Sequence, residues 1–129
     1  MRSADTDMGK MGDAMRVLIA DDSRRTRNGL RALLVTCPEV DVVGEAVDGR
    51  EALELVAEHR PDVVVMDVRM PAIDGLVATH VIKARWPDVR VVVLTMYDDR
   101  RAEAATAGAD AFLVKGCPPA KLLEAILGR

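Results

Sequence analysis

The sequence is poor in aromatic side chains, with one Trp, one Tyr and one Phe among 129 residues. A hydrophobic core must therefore be built mainly from Val, Leu, Ile, Ala and Met. Hydrophobic residues nevertheless make up 50% of the chain, which excludes a protein that is disordered throughout. At this length we expect one domain with a single core rather than two domains.

An excess of basic residues is also missing, since the net charge is −3, and direct nucleic-acid binding is therefore not expected. No apolar run approaches the roughly 20 residues of a membrane span. Residues 1–15 lack the apolar segment of a signal peptide. We therefore expect a cytoplasmic protein that binds no membrane. Residues 1–14 are polar and aperiodic and are interpreted as a flexible tail, with the folded domain over residues 15–129.

Cysteine is scarce as well, and its two positions argue against a disulfide. Cys37 is predicted to follow the first helix and Cys117 the last strand, which places them at opposite ends of the strands. That separation exceeds the Cα distance of ~7 Å that a disulfide tolerates. Two free thiols in a reducing compartment are expected.

A strand followed by a helix recurs five times along the chain. Ser23 and Asp48 are predicted to cap the first two helices, and Pro119 suits the first turn of the last. Leu53, Val56 and Ala57 are expected on the inner face of the second helix. The third helix is predicted over residues 76–86. Short apolar runs predict buried strands at residues 16–20, 41–46, 62–66, 90–94 and 111–114.

This alternation implies right-handed βαβ units and a parallel sheet with helices on both faces. Five units are too few for a (βα) barrel, which needs eight. We predict a single-domain α/β fold of the flavodoxin-like (βα)5 type, a doubly wound parallel sheet with strand order 2-1-3-4-5. The order is adopted because it places the acidic residues after strand 1 beside the one after strand 3.

Polar side chains follow four of the predicted strands, at the edge where open α/β sheets bind ligands. Asp21 and Asp22 follow the first strand, Asp67 the third, Thr95 the fourth and Lys115 the fifth. Clustered carboxylates repel one another, and Mg²⁺ would relieve that repulsion. A lysine and a threonine could then hold phosphate oxygens, while an aspartate acts as nucleophile. Each residue taken singly has a plainer interpretation as a helix cap, a strand residue or a solvated charge.

These residues together resemble the receiver domain of bacterial two-component response regulators, over residues 16–127. The matching motifs are Asp21-Asp22, Met66-Asp67-Val68-Arg69-Met70-Pro71, Asp74-Gly75, Leu94-Thr95 and Val114-Lys115.

The resemblance implies a role for each matching position. Asp67 would be the phosphoacceptor and, with Asp22, a direct Mg²⁺ ligand. Asp21 would bind the metal through water, and Arg69 through its backbone carbonyl.

The remaining matches concern the phosphoryl group and the partners. Thr95 and Lys115 would bind the phosphoryl group, and Phe112 stands where the family keeps a switching aromatic residue. A sensor histidine kinase is implied as phosphodonor, and a phosphorylation-dependent homodimer as a possible partner.

Three further motifs resemble the NarL/FixJ branch of the family. They are Gly116-Cys117 before Pro118-Pro119, Arg69-Met70-Pro71 and Thr95-Met96-Tyr97. Members of that branch usually carry a C-terminal helix-turn-helix domain that controls transcription. This sequence stops at Arg129, so it is expected to be either a receiver from a longer regulator or a stand-alone receiver.

Two other functions remain open. A Mg²⁺-dependent phosphatase that forms an aspartyl phosphate would need a second Asp two residues after Asp67, where Arg69 stands. Turnover of an external substrate is therefore not expected. A phosphorylation-independent interaction module would be favoured by loss of an acidic or lysine position, and none is lost.

Two helices carry further expectations. The segment 98–107 is predicted to be a helix without large apolar side chains, and its docking on the sheet should be weak. Arg24, Arg25 and Arg27 are expected to form a solvated face of the first helix, with partner docking as the alternative.

Overall fold

The structure is a computed structural model that describes residues 14–129. Five parallel strands form one sheet in the order β2-β1-β3-β4-β5. The predicted flavodoxin-like fold and strand order are confirmed. The boundary of the domain stays a prediction, because residues 1–13 lie outside the described part. The elements are β1 (Met15–Ala20), α1 (Arg24–Leu34), β2 (Val40–Ala46), α2 (Gly49–His59), β3 (Val63–Met66), α3 (Gly75–Arg85), β4 (Arg90–Thr95), α4 (Arg101–Ala107), β5 (Ala111–Val114) and α5 (Pro119–Leu127).

The core lies on both faces of the sheet, because successive side chains of a strand point to opposite faces. On β1, Leu18 packs into a cluster with residues of α2, α3 and α4, whereas Val17 and Ile19 pack with residues of α1 and α5. All four residues of β3 are buried. Full burial of such side chains stabilises the fold by about 1.5–3 kcal/mol each. The central strands therefore form a rigid platform for the residues that follow them.

The predicted caps of α1 and α2 and the predicted first turn of α5 are confirmed. Ser23 caps α1 by accepting a hydrogen bond from the Thr26 amide, and Asp48 caps α2 by accepting one from the Glu51 amide. Pro119 is the first residue of α5, and Gly108 ends α4 in the left-handed region with φ 97°.

Several local predictions need correction. The inner face of α2 contains the buried Ala52 and Val56 and the partly buried Leu53, whereas Ala57 is exposed and does not belong to it. Helix α4 begins at Arg101 rather than at residue 98, and residues 98–100 form turns. Helix α3 spans Gly75–Arg85, so it begins and ends one residue earlier than the predicted range 76–86.

Two further observations concern predictions made from composition. Cys37 and Cys117 are both free thiols, as expected. Within residues 14–129, no helix has the length and apolar character needed to cross a membrane.

Candidate functional site

The strand order brings two acidic segments side by side at the carboxyl edge of the sheet. The amide of Asp67 donates to the carbonyl oxygen of Ala20 at 2.9 Å, so the end of β3 is joined to the end of β1. The amide of Asp21 donates to the Ala46 carbonyl oxygen at 3.0 Å, which joins β1 to β2. Both carboxylates are buried, with residue exposures of 2% for Asp21 and 7% for Asp67. Backbone pairing thus fixes where these carboxylates stand.

Asp21, Asp22 and Asp67 form a compact carboxylate cluster. One carboxylate oxygen from each lies within 4.8 Å of those of the other two. A second oxygen is held by a backbone amide in two cases: Asp21 Oδ1 accepts from Ser23 and Asp67 Oδ1 accepts from Val68, both at 2.8 Å. Backbone hydrogen bonds therefore fix the orientation of Asp21 and Asp67, while the other oxygen of each, Oδ2, faces the interior of the cluster.

Lys115 supplies the positive charge of the site. Its Nζ lies 2.8 Å from Asp21 Oδ2 and 3.4 Å from Asp67 Oδ2. Burial tends to lower the pKa of Lys115, but the hydrogen bond to Asp21 and the charge of Asp67 outweigh it and raise the pKa. The backbone amide of Lys115 donates to the Thr95 carbonyl oxygen at 2.7 Å, which holds β5 beside β4. Lys115 therefore remains an ammonium group at neutral pH.

The electrostatics of Asp67 favour a further cation. Burial raises the pKa of Asp67, the charge of Asp21 raises it further, and Lys115 and the Val68 amide only partly offset this. Among residues 14–129, Asp22 has no basic partner, and its side chain is open to solvent. Mg²⁺ prefers a few carboxylate oxygens and retains several waters. The donor set and its half-open position therefore fit Mg²⁺.

The loop between β3 and α3 is shaped by two close backbone approaches. A Cβ on Gly75 would lie 1.8 Å from the carbonyl oxygen of Asp67, and a Cβ on Gly49 would lie 2.0 Å from that of Ile73. The Gly75 amide also donates to the Val68 carbonyl oxygen at 2.7 Å. The loop therefore closes back on Asp67 through contacts that only glycine permits.

Of the other predicted site residues, the structure brings Thr95 and Phe112 to adjacent strands beside the cluster. Thr95 is the last residue of β4 and is buried with 3% exposure. Phe112 pairs with Val93 of β4, and the Arg101 guanidinium lies 4.6 Å from its ring centroid. Arg69 is exposed and places its guanidinium 4.6 Å from the ring centroid of Tyr97. None of these side chains forms an ion pair with the carboxylate cluster among the described residues.

One contact at the site was not predicted from the sequence. Arg27 was assigned to a solvated face, but its side chain is only 13% exposed and it donates from Nη1 to the Asp21 carbonyl oxygen at 2.8 Å. The sequence contained a signal for this, because Arg27, Leu30 and Leu34 follow the i, i+3, i+7 spacing of one buried helix face. Arg24 and Arg25 are exposed, as expected.

Comparison of the sequence with known proteins identifies its family. The model of the response regulator receiver domain matches residues 17–127. The chain belongs to this receiver family. The receiver is 40% identical over 114 residues to the transcriptional regulatory protein LiaR of Bacillus subtilis, a match that covers 87% of this chain and 54% of LiaR.

Two solved structures are similar to the receiver along its length. The response regulator domain of Thermotoga maritima CheB is 33% identical, with a TM-score of 0.84 and coverage of 89% of this chain and 95% of that one. A LuxR-family response regulator from Aurantimonas sp. SI85-9A1 is 34% identical, with a TM-score of 0.82 and coverage of 90% and 87%. The predicted receiver family and its NarL/FixJ, LuxR-type branch are confirmed. The receiver spans about half the length of the curated relatives it matches, for example 54% of LiaR.

Proposed function

We propose that this receiver accepts a phosphoryl group on Asp67 from a sensor histidine kinase, in a Mg²⁺-dependent reaction. The observation that carries the proposal is the position of Asp67: it ends a central strand, belongs to the carboxylate cluster and faces Lys115 Nζ at 3.4 Å. The other two carboxylates follow β1. Asp21 is also near Lys115, but its Oδ1 accepts from the Ser23 amide and its Oδ2 lies 2.8 Å from Lys115 Nζ, and Asp22 has no ion pair with the lysine among the described residues.

The transfer needs a nucleophile and compensation for moving charge. A carboxylate oxygen of Asp67 forms the new P–O bond while the P–N bond of the donor phosphohistidine breaks. The departing imidazole keeps the bonding electron pair and takes up a proton. We assign the Lys115 ammonium and the Thr95 hydroxyl to the phosphoryl oxygens, where a fixed positive charge and a donor stabilise the charge that develops.

The metal would be held by Asp22 and Asp67 directly, by Asp21 through water and by the backbone carbonyl of Arg69. When bound, Mg²⁺ supplies positive charge to both the carboxylates and the phosphoryl oxygens. The raised pKa of Asp67 supports this assignment, because a cation would keep the carboxylate ionised and nucleophilic.

Intact mass spectrometry tests the function directly. The protein is incubated with acetyl phosphate and Mg²⁺, and we expect a mass increase of one phosphoryl group that disappears when EDTA replaces the metal. Mass unchanged with Mg²⁺, with acetyl phosphate and with a panel of purified histidine kinases would rule the function out.

The consequence of phosphorylation is expected in partner contacts rather than in chemistry on an external substrate. We propose a cytoplasmic regulator whose output is transcriptional, through a helix-turn-helix domain that is not part of this sequence, or through a phosphorylation-dependent homodimer. The transcriptional regulators among the relatives, such as LiaR, support this output. Arg69 stands where a phosphatase of the aspartyl-phosphate type would need its second Asp, which supports signalling over turnover.

Replacement of Asp22 should remove the metal while leaving the fold. In Asp22→Ala, Mg²⁺ affinity should fall at least about tenfold, because metal–carboxylate contacts are lost at an exposed position where little packing is disturbed. In the wild type, Mg²⁺ should raise the melting temperature by ligand linkage, and this increase should vanish in the variant. Differential scanning calorimetry over a series of Mg²⁺ concentrations measures the increase in melting temperature of the wild type and of the variant, and the concentration dependence reports the affinity. Asp88→Ala, an exposed position at the opposite edge of the sheet, is the control and should keep the metal response.

The segment from Thr95 to Gly108 is expected to change its stability on phosphorylation. In α4 the only buried side chain is Ala104, so apolar packing holds the helix weakly. Charged contacts supplement it: Arg100 lies 3.6 Å from Asp74 at the start of α3, and Arg101 covers Phe112.

A phosphoryl group that draws Thr95 inward would open space for Phe112 and release Arg101, which shifts an existing equilibrium of the segment. Hydrogen exchange with and without beryllofluoride should therefore differ most over residues 95–108. Identical exchange there, with changes confined to other segments, would contradict the switch.

A further inference from the structure

We infer that Arg27 is a positioning residue for the metal centre, which it serves by fixing the peptide that joins Asp21 to Asp22. This inference rests on the proposed function, because it assigns a role toward the Mg²⁺ of that site. Its basis is the contact from Arg27 Nη1 to the carbonyl oxygen of Asp21 at 2.8 Å.

The acceptor of this hydrogen bond belongs to the peptide plane between two of the three clustered carboxylates. Rotation of that plane would move the Cα of Asp22 relative to the buried side chain of Asp21. Asp21 is held at three other points: its amide donates to Ala46, its Oδ1 accepts from Ser23, and its Oδ2 faces Lys115. The side chain of Asp22 is exposed, so its direction depends on the backbone that carries it. Arg27 supplies a restraint on that backbone from the side of α1.

The guanidinium is itself held in place. Its Nε donates to Glu45 Oε1 at 3.1 Å, and Glu45 lies on β2 opposite Ile19 of β1. Arg31 donates to the other oxygen, Glu45 Oε2, at 2.6 Å. A charged donor that is only 13% exposed makes a stronger hydrogen bond than a solvated one. A planar guanidinium can also bind two acceptors in fixed relative positions, which an ammonium cannot do.

Glu45 is anionic in this arrangement at neutral pH. The hydrogen bond from Arg31 lowers the pKa of Glu45, burial opposes that effect, and Arg27 lowers the pKa further. The chain of contacts therefore runs from the sheet at β2, through Glu45 and Arg27, to the loop that carries the metal ligands.

Arg31 provides a matched control for a merely structural role. Arg27 and Arg31 both lie on α1 and both bind Glu45, but only Arg27 reaches the Asp21 carbonyl oxygen. If the arginines act only as ion-pair partners of Glu45, their loss should change stability alone. If Arg27 positions the ligands, its loss should also change Mg²⁺ affinity.

The experiment compares Arg27→Gln, Arg27→Lys and Arg31→Gln with the wild type, at a temperature where each is folded by circular dichroism. Mg²⁺ is titrated, and the amide signals of Asp22 and Ser23 are followed by NMR. We expect Arg27→Gln to weaken Mg²⁺ binding by about tenfold or more, as losses of ligand-orienting partners do. Arg31→Gln should stay within about twofold of wild type. Arg27→Lys, which retains charge but cannot bind both acceptors as a planar fork, should lie between them.

A second measurement separates positioning from damage to the reaction itself. With acetyl phosphate as donor, Arg27→Gln should require more Mg²⁺ for half-maximal phosphorylation, yet reach a rate near that of wild type at saturating Mg²⁺. Equal Mg²⁺ affinity of wild type, Arg27→Gln and Arg27→Lys would overturn the positioning role while leaving the proposed function standing. If Arg27→Gln does not fold, an unchanged affinity of Arg27→Lys overturns it on its own. A wild-type protein that binds no Mg²⁺ would overturn both the role and the proposed function.

Discussion

Asp67→Asn should abolish phosphorylation by acetyl phosphate, with no mass increase under conditions that label the wild type fully. An amide oxygen is a poor nucleophile, and Asn cannot carry the charge that binds Mg²⁺ and Lys115. Asp21 is not expected to replace Asp67 as nucleophile, because both of its oxygens are already held. Its Oδ2 lies 2.8 Å from Lys115 Nζ, and its Oδ1 accepts from the Ser23 amide. Quantitative labelling of the variant at another residue would remove Asp67 from the role.

The same variant should remain folded, which separates loss of chemistry from loss of structure. Asn can still accept the Val68 amide, and the backbone bond from residue 67 to Ala20 does not depend on the side chain. Burial raises the pKa of Asp67 in the folded protein above its ordinary value. The folded protein therefore loses stability as pH rises from the ordinary pKa through the raised one and the carboxyl group ionises. At neutral pH without metal, Asp67→Asn should therefore be at least as stable as wild type in urea. The advantage of the variant should disappear below about pH 3.9, the ordinary pKa of Asp, because Asp67 is then protonated in both the folded and the unfolded protein.

Asp62→Asn is the matched control for both measurements. Asp62 lies just before β3, at the opposite end of the same strand, and its side chain accepts a hydrogen bond from the Arg16 amide. Asn can accept the same bond, so phosphorylation should match that of wild type.

The sequence predicted the fold because the strands are short apolar runs and the helices have recognisable ends. Ser23 and Asp48 each cap a helix by accepting from the amide three residues later. The strand order was predicted from one requirement, that the acidic residues after strands 1 and 3 lie side by side. The candidate site followed in the same way, because Asp21, Asp22, Asp67 and Lys115 all stand directly after strands. Residues after parallel strands meet at one edge of the sheet.

The sequence did not predict which residues from distant parts of the chain contact each other. Arg27 reaches Glu45 across 18 positions and Asp21 across its own loop, and its charge favoured a solvated interpretation. Helix α4 is shorter than its composition suggested, because Asp98, Asp99 and Arg100 form turns before Arg101 and no side chain caps the helix. Helix propensity alone cannot set such a boundary when tertiary contacts are few.

Gly75→Ala should have the largest effect on stability and also impair phosphorylation. The added Cβ would lie 1.8 Å from the Asp67 carbonyl oxygen, 2.8 Å from its carbonyl carbon and 3.0 Å from Val68 Cα. All three are backbone atoms that directly follow a central strand, so no flexible side chain can move aside. The loss of stability should be about 2 kcal/mol or more, at the upper end of the costs of overpacking. Displacement of the Asp67 backbone by about 1 Å would lower the phosphorylation rate on the order of 100-fold.

Gly29→Ala distinguishes this effect from the general cost of adding a methyl group. Gly29 lies inside α1, and apart from the backbone of its own helix and its chain neighbours no atom of the described residues is within 4 Å of the position that its Cβ would occupy. Ala should therefore stabilise the protein by about 0.5–1 kcal/mol, the usual gain from replacing a helical glycine. Urea unfolding of the two variants should thus move in opposite directions from wild type. A Gly75→Ala protein with wild-type stability and wild-type phosphorylation would show that the loop after β3 can shift without moving Asp67. The close approach of Gly75 would then not determine the position of the Asp67 side chain.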